Sequence, residues 1–127
     1  MDYVLFADAN SNEPVLKGGA ARDQKGPGYS RSAPPKWSVG IPVRGKAMVK
    51  AGDKLYVAGP PKIAPGQDSW VALEGKKGSR LCVFSTADGT KLEEYKLDDV
   101  PVFDGMIAAY GRVYMATQAG RLLCLAK

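Results

Sequence analysis

The chain has 127 residues and 45% hydrophobic content, which suits one ordinary domain and excludes wholesale disorder. No apolar run approaches the roughly 18 residues that span a bilayer, so membrane insertion is not expected. The net charge of +5 is scattered without a basic cluster, which argues against nucleic-acid binding. The absence of histidine excludes His-containing zinc sites and Ser-His-Asp or Cys-His catalysis.

The N-terminal part, residues 1–36, begins with a predicted strand at Tyr3–Ala7. The apolar patch at Tyr3–Ala7 is too short for a signal peptide, and no basic region precedes it, so no signal peptide is recognised. Asn10–Pro35 is predicted to be a long polar Gly/Pro/Ser loop. Its basic residues allow two interpretations, a weak polyanion-binding loop or a disordered segment; they are Lys17, Arg22, Lys25, Arg31 and Lys36.

The next part, residues 37–97, is predicted to hold a strand that ends a preceding unit and then one complete four-stranded unit. These strands are Lys36–Val39, Met48–Lys50, Lys54–Ala58, Leu81–Ser85 and Lys91–Leu97. The turns between them are Gly52-Asp53 and Ala87–Thr90, because Asp-Gly and Gly-Asp tolerate positive φ. An insertion at 60–79 contains a possible helical turn, Ser69–Leu73, whose Trp70 is expected to anchor the loop on the body.

The last part, residues 98–127, repeats the same order of strands at Gly105–Ala109, Arg112–Thr117 and Arg121–Leu125. Met48 aligns with Met106 at an offset of 58 residues, whereas Leu81 aligns with Leu122 at an offset of 41. The difference is a 17-residue insertion in the first unit. The underlying repeat of about 41 residues is the length of one four-stranded β-propeller blade.

The sequence therefore predicts a single all-β domain of about two to three β-propeller blades in an incomplete ring. Propellers close with about 4–8 blades, so the exposed faces and last edge of this chain need partners. Two arrangements would supply these partners. Either the N-terminal strands complete the last blade, or several chains assemble a ring head-to-tail. Self-association of the chain is the favoured prediction. The alternative partner is the rest of a larger propeller to which the chain would belong.

Several stretches of the chain resemble propeller proteins built from pyrroloquinoline-quinone-type repeats, of the kind common in planctomycete-like bacteria. The resemblance covers about residues 37–125 and is carried by Ile41–Arg44, Leu55–Pro61, Ala87–Leu92, Pro101–Met106 and Gly120–Leu125. It implies a propeller that is usually exported to the periplasm or cell surface. Some relatives bind the quinone with calcium and oxidise alcohols, which needs a full ring. Ser85 and Tyr95 stand where the family pattern has Asp and Trp, so no cofactor is expected here.

Three charged residues are the candidate ligand-binding site. Asp104 precedes the inner strand of the second unit, near the predicted channel mouth, and Arg44 and Lys46 occupy the equivalent place in the first unit. Asp104 is predicted to bind a cation or a sugar hydroxyl, and Arg44 and Lys46 are predicted to bind an anion or to pair with Asp104. The alternatives are a turn cap for Asp104 and solvated or ion-paired surface cations.

No catalytic or metal-ligating set is predicted. The acidic residues around Glu93-Glu94 and Asp98-Asp99 lack a diagnostic spacing and indicate an exposed edge strand. Cys82 and Cys124 are one residue out of repeat register, so they should point to opposite faces and stay unpaired. The first functional hypothesis is a non-catalytic module for protein interaction or assembly; the second is a ligand-binding or quinoprotein-like propeller domain completed by other subunits.

Overall fold

The computed structural model describes residues 3–17, 28–64 and 66–126, and this part of the chain is all-β. Its strands are β1 Tyr3–Ala7, β2 Pro14–Lys17, β3 Gly28–Arg31, β4 Trp37–Ile41, β5 Ala47–Ala51, β6 Lys54–Gly59, β7 Ser79–Ser85, β8 Lys91–Leu97, β9 Pro101–Ala109, β10 Arg112–Thr117 and β11 Leu122–Ala126, with one helix, α1, at Ser69–Leu73. Within the described residues the strands form four antiparallel sheets, and none of them closes.

The second sheet, β5-β6-β7-β8, is an antiparallel meander with short turns between β5 and β6 and between β7 and β8. Gly52 joins β5 to β6 with a φ of 61°, a left-handed conformation that glycine adopts without strain. Between β7 and β8, the Thr90 N–H donates to the Asp88 carboxylate at 2.9 Å. This bond fixes the predicted Ala87–Thr90 turn and allows β8 to return along β7.

The third sheet, β9-β10-β11, repeats the pairing of the second sheet. Equivalent cross-strand pairs occupy equivalent places: Met48–Val57 with Met106–Met115, and Val57–Cys82 with Met115–Leu123. Both offsets of the sequence repeat are therefore confirmed. The insertion in the first unit is also seen, because residues 60–78, which contain α1, join β6 to β7, whereas residues 118–121 join β10 to β11.

The second sheet lies between the first sheet, β1-β4, and the third sheet. On one face, Val57 and Phe84 pack with Leu5 and Ile41 of the first sheet. On the other face, Ala47, Ala58 and Leu81 pack with residues of the third sheet, namely Met106, Val113 and Met115. Because successive side chains of a strand point to opposite faces, one sheet supplies both cores.

The N-terminal part differs from the predicted loop, and it rules out one of the two alternatives for completing the last sheet. The segment predicted as a loop contains a hairpin, since β2 pairs antiparallel with β3; residues 18–27 between them lie outside the described residues. Strand β1 pairs with β4 rather than with β11, so it does not complete the last sheet. Arg31 of the hairpin contacts β1 and the residue after it. Its guanidinium forms an ion pair with Asp8 at 2.7 Å and lies 4.2 Å from the ring centre of Phe6.

The insertion forms the predicted helical turn, but its tryptophan does not anchor it. Asp68 caps α1, since its carboxylate accepts the N–H of Trp70 at 2.9 Å. The Trp70 side chain is mostly exposed, so the expected contact with the body is wrong. Ala72 on this turn is buried, and Trp70 precedes it by two residues, which places the indole on another side of the helix.

Candidate functional site

A β-bulge places Asp104 beside the first strand of the second sheet. Strand β9 begins at Pro101, earlier than predicted, and its register with β10 shifts between Met115 and Thr117. Asp104 has a φ of 53°, which Asp tolerates better than most residues. Its N–H donates to the carbonyl oxygen of Lys46 at 3.0 Å. The second and third sheets are thus joined by a backbone hydrogen bond between the two equivalent positions.

Arg44 and Lys46 are held by the backbone that follows β6. The N–H of Arg44 donates to Pro60 at 2.9 Å, and that of Lys46 donates to Ala58 at 2.8 Å. A Cβ on Gly59 would lie 1.7 Å from the Arg44 carbonyl oxygen, so this close approach requires glycine. The structure therefore brings Lys46 to Asp104, with Arg44 two residues before it. Within the described part of the chain, their side chains form no ion pair with one another, and ligand binding here stays a prediction.

Two of the acidic residues near the outer strands, Asp99 and Glu94, form ion pairs. Asp99 accepts hydrogen bonds from Arg121 at 2.6 Å and from Thr117 at 3.3 Å, and the Arg121 guanidinium lowers the pKa of its carboxyl group. Glu94 lies between Lys91 and Arg80, and the hydrogen bond from Lys91 is the main cause of its lowered pKa. In the ranges that the structure describes, no group of three or more Cys, Asp or Glu residues is arranged to hold a metal ion.

An exposed apolar face on the third sheet has a buried counterpart in the second sheet. Ile107, Tyr114 and Cys124 are cross-strand neighbours, and Leu122 follows beside Ala116. We call this surface the terminal face; it lies opposite the buried Met106 and Met115. Ile107, Leu122 and Cys124 on it are exposed. An apolar sheet face open to water is typical of an interaction surface.

The repeat register identifies what covers the equivalent face in the second sheet. The counterparts of the terminal face are Val49, Tyr56, Ala58, Leu81 and Val83. Leu81 is 2% exposed because the third sheet covers it, whereas its equivalent Leu122 is 72% exposed. The terminal face thus has the chemistry of a surface that, one repeat earlier, is buried by a neighbouring sheet.

The opposite end of the stack is also apolar. On the first sheet, Leu5 points into the core, and its neighbours Val4 and Phe6 point outwards, both substantially exposed. Ser38 and Gly40 pair with them on β4. We call this surface the leading face. Its small β4 residues leave Val4 accessible to a partner, whereas Phe6 is exposed in part and carries the Arg31 guanidinium 4.2 Å from its ring centre.

The cysteines occupy opposite faces, as predicted. Cys82 points into the core beside Val57, and Cys124 lies on the terminal face beside Tyr114. Both are free thiols. Burial raises the pKa of the Cys82 thiol, so Cys82 serves as a small apolar core residue.

Comparison with family models, curated proteins and solved structures finds no match for this chain. Among the described residues, no helix has the length and apolar character needed to cross a membrane.

Sequence reasoning did not single out the residues of the terminal face. It placed the site at Arg44, Lys46 and Asp104, because charged residues near a turn suggest a ligand. The signal for Leu122 was present in the repeat itself, since the aligned Leu81 lies in an apolar strand. The alignment does not show that Leu81 is buried and that Leu122 is exposed.

Proposed function

We propose that the chain is a non-catalytic β-propeller module, about two to three blades of an incomplete ring, that functions in protein interaction or assembly. The observation that carries the proposal is the contrast between buried Leu81 and exposed Leu122 at equivalent positions. The four-stranded meander, the repeat of its register and the resemblance to quinone-type repeat proteins support the blade interpretation.

The favoured partner is a second copy of the chain, bound head-to-tail through the leading and terminal faces. Val4 and Phe6 on one face offer apolar area that matches Ile107 and Leu122 on the other. Burying a leucine or isoleucine side chain contributes roughly 1.5–3 kcal/mol, so a few such residues give useful affinity. Two different faces on one chain make the contact heterologous, and such contacts generate rings when the rotation closes.

A charge-complementation experiment tests this pairing. Leu122→Asp places a carboxylate on the terminal face, and Val4→Lys places an ammonium group on the leading face. Each variant alone should be monomeric, because one face of every contact carries an unpaired charge in an apolar surface. Mixing the two should produce a heterodimer, since the untouched terminal face of Val4→Lys meets the untouched leading face of Leu122→Asp.

The matched control is a mixture of Leu122→Asp with Ile107→Asp, two variants that both carry a charge on the terminal face. This mixture should stay monomeric, because no untouched terminal face is left in it. A mixture of Leu122→Asp with Val4→Lys that also stays monomeric would reject the head-to-tail pairing.

A further inference from the structure

The third sheet has three strands where the second sheet has four, and its last strand, β11, leaves one edge open within the described residues. Strand β11 is equivalent to β7, because Leu123 occupies the repeat position of Cys82. In the second sheet, β8 closes the corresponding edge of β7. The chain therefore shows the same strand once with an outer neighbour and once without it.

The backbone groups at the open edge of β11 belong to alternate residues. The N–H of Thr117 donates to the carbonyl oxygen of Arg121 at 2.9 Å, so Arg121 bonds towards β10. In an antiparallel ladder, successive residues bond to alternate sides. The N–H and C=O groups of Leu122, Cys124 and Ala126 therefore face away from β10. All three residues are exposed, and no strand in the described ranges pairs with this edge.

Strand β11 also lacks the charges that protect the outer edge of the second sheet. It has no charged side chain, whereas β8 carries Lys91, Glu93, Glu94 and Lys96. Natural edge strands are commonly blunted by charge, because their unpaired N–H and C=O groups favour pairing with another chain. The composition of β11 is thus typical of an edge that receives a strand.

Tyr95 of β8 lacks the cover that its repeat equivalent has. Trp37 on β4 aligns with Tyr95 at the offset of 58 and packs against Gly89, which lies just before β8. The third sheet has no described strand at this place, and Tyr95 is 48% exposed. Tyr95 lines a cleft of about 440 Å³ that Leu125 of β11 borders from the third sheet. A strand added to β11 would cover Tyr95 as the start of β8 covers Trp37.

We infer that β11 binds an extended segment of another protein, which adds a fourth antiparallel strand to the third sheet. Hydrogen bonds between the two backbones supply affinity in this mode of recognition, and alternate side chains supply specificity. The site is the edge of the third sheet, whereas the proposed assembly uses the terminal face. The inference is therefore independent of that assembly.

Strand β8 indicates an aromatic residue in the segment. In the second sheet, Tyr95 lies opposite Leu81. The repeat equivalent of Leu81 on β11 is Leu122, whose side chain is exposed. An aromatic residue placed opposite Leu122 would cover part of this apolar side chain, because directly opposite residues of an antiparallel pair are in contact.

A positive charge beside the edge selects an acidic residue. Glu94 of β8 forms an ion pair with Arg80 near the start of β7, and Arg121 occupies the repeat position of Arg80. The bonds of Arg121 to Asp99 use Nε and Nη2, so Nη1 is available for a second carboxylate. The segment therefore combines an acidic residue with an aromatic residue at the next position, as in Glu94-Tyr95.

A fluorescein-labelled peptide with the β8 sequence, Lys91–Leu97, tests the inference by fluorescence anisotropy with the full chain. We expect saturable binding at one site per chain, and no binding of a peptide with the same composition in scrambled order. Cys124→Pro should weaken binding about tenfold, because proline removes an outward N–H from the open edge and no bond to β10. Tyr95→Ala should weaken binding about fivefold and leaves the sequence of β11 unchanged.

Two variants outside the edge separate this inference from the proposed assembly. Ile107→Asp changes the terminal face, and Leu92→Asp changes an exposed leucine of β8 outside both faces. Both should bind the peptide with wild-type affinity. An Ile107→Asp chain that binds the peptide but stays oligomeric would contradict the assembly and still support the edge site. Wild-type affinity in both Cys124→Pro and Tyr95→Ala would overturn the inference, as would equal binding of the scrambled peptide.

Discussion

The indole N–H of Trp37 donates to the carbonyl oxygen of Thr86 at 2.9 Å, and its ring covers Gly89 in the turn between β7 and β8. This contact fastens the first sheet to the second. A Cβ on Gly89 would lie 2.6 Å from the Trp37 ring, and Gly89 has a φ of 76°. The turn therefore needs glycine both for its conformation and for the space that the indole occupies.

We expect Gly89→Ala to lower the free energy of unfolding by about 3 kcal/mol, because left-handed strain and overpacking add. Gly111→Ala is the matched control. Gly111 has a φ of 71° with no atom within 4 Å of its Cβ position, so only the strain of about 1–2 kcal/mol applies. Equilibrium urea unfolding at one chain concentration measures both. Equal losses for the two variants would show that the Trp37 contact contributes nothing.

The two thiols should differ sharply in reactivity. Cys82 is fully buried and its pKa is raised by desolvation, whereas Cys124 is exposed on the terminal face. With neutral iodoacetamide, followed by mass spectrometry, we expect one fast modification in the folded chain and a second only on unfolding. Cys124→Ser should remove the fast one.

The same thiol reports on assembly. If a second copy covers the terminal face, Leu122→Asp should speed the modification of Cys124, and Leu92→Asp should leave its rate unchanged. Modification of both cysteines at one rate in the folded chain would contradict the opposite orientations of their side chains.

The hydrogen bonds between Asp99 and Arg121 should make stability depend on pH. The Arg121 guanidinium lowers the pKa of the Asp99 carboxyl in the folded chain. A carboxyl group whose pKa is lowered by folding stabilises the folded chain at pH values above its pKa in the unfolded chain, about 3.9. This stabilisation is lost as the pH falls through its pKa in the folded chain. We therefore expect Asp99→Asn to reduce stability near neutral pH and to match the wild type at strongly acidic pH.

Urea midpoints across the acidic range measure this difference. Asp98→Asn is the control, because Asp98 is exposed and forms no ion pair in the described part of the chain. A deficit for Asp99→Asn that stays constant from neutral to strongly acidic pH would show that it does not come from ionisation of the carboxyl group.

Local patterns predicted the strands of the repeat units well, because each strand there combines β-formers with a clear turn. Strands β1, β8 and β10 and helix α1 have the predicted bounds. The β2–β3 hairpin was missed, since its strands are short, lie in a Gly/Pro/Ser-rich segment and leave Val15, Leu16 and Tyr29 exposed. Neither strand shows an alternation of apolar and polar residues long enough to predict it.

The candidate site was less predictable than the fold. The repeat alignment correctly matched Lys46 with Asp104, and a backbone hydrogen bond joins them. Exposure of Leu122 depends on which sheet lies next to it, and a pattern within one strand contains no such information. Likewise Tyr110 could be aligned with Gly52, but its positive φ is a property of the folded turn.

The most direct test of the account is the absolute mass of the chain in solution, measured by light scattering on a sizing column over a range of concentrations. We expect a mass of at least two 13.5 kDa chains for the wild type and for Leu92→Asp, and a folded monomer for Leu122→Asp. A wild-type chain that stays a monomer at high concentration and unfolds cooperatively would contradict assembly through the terminal face.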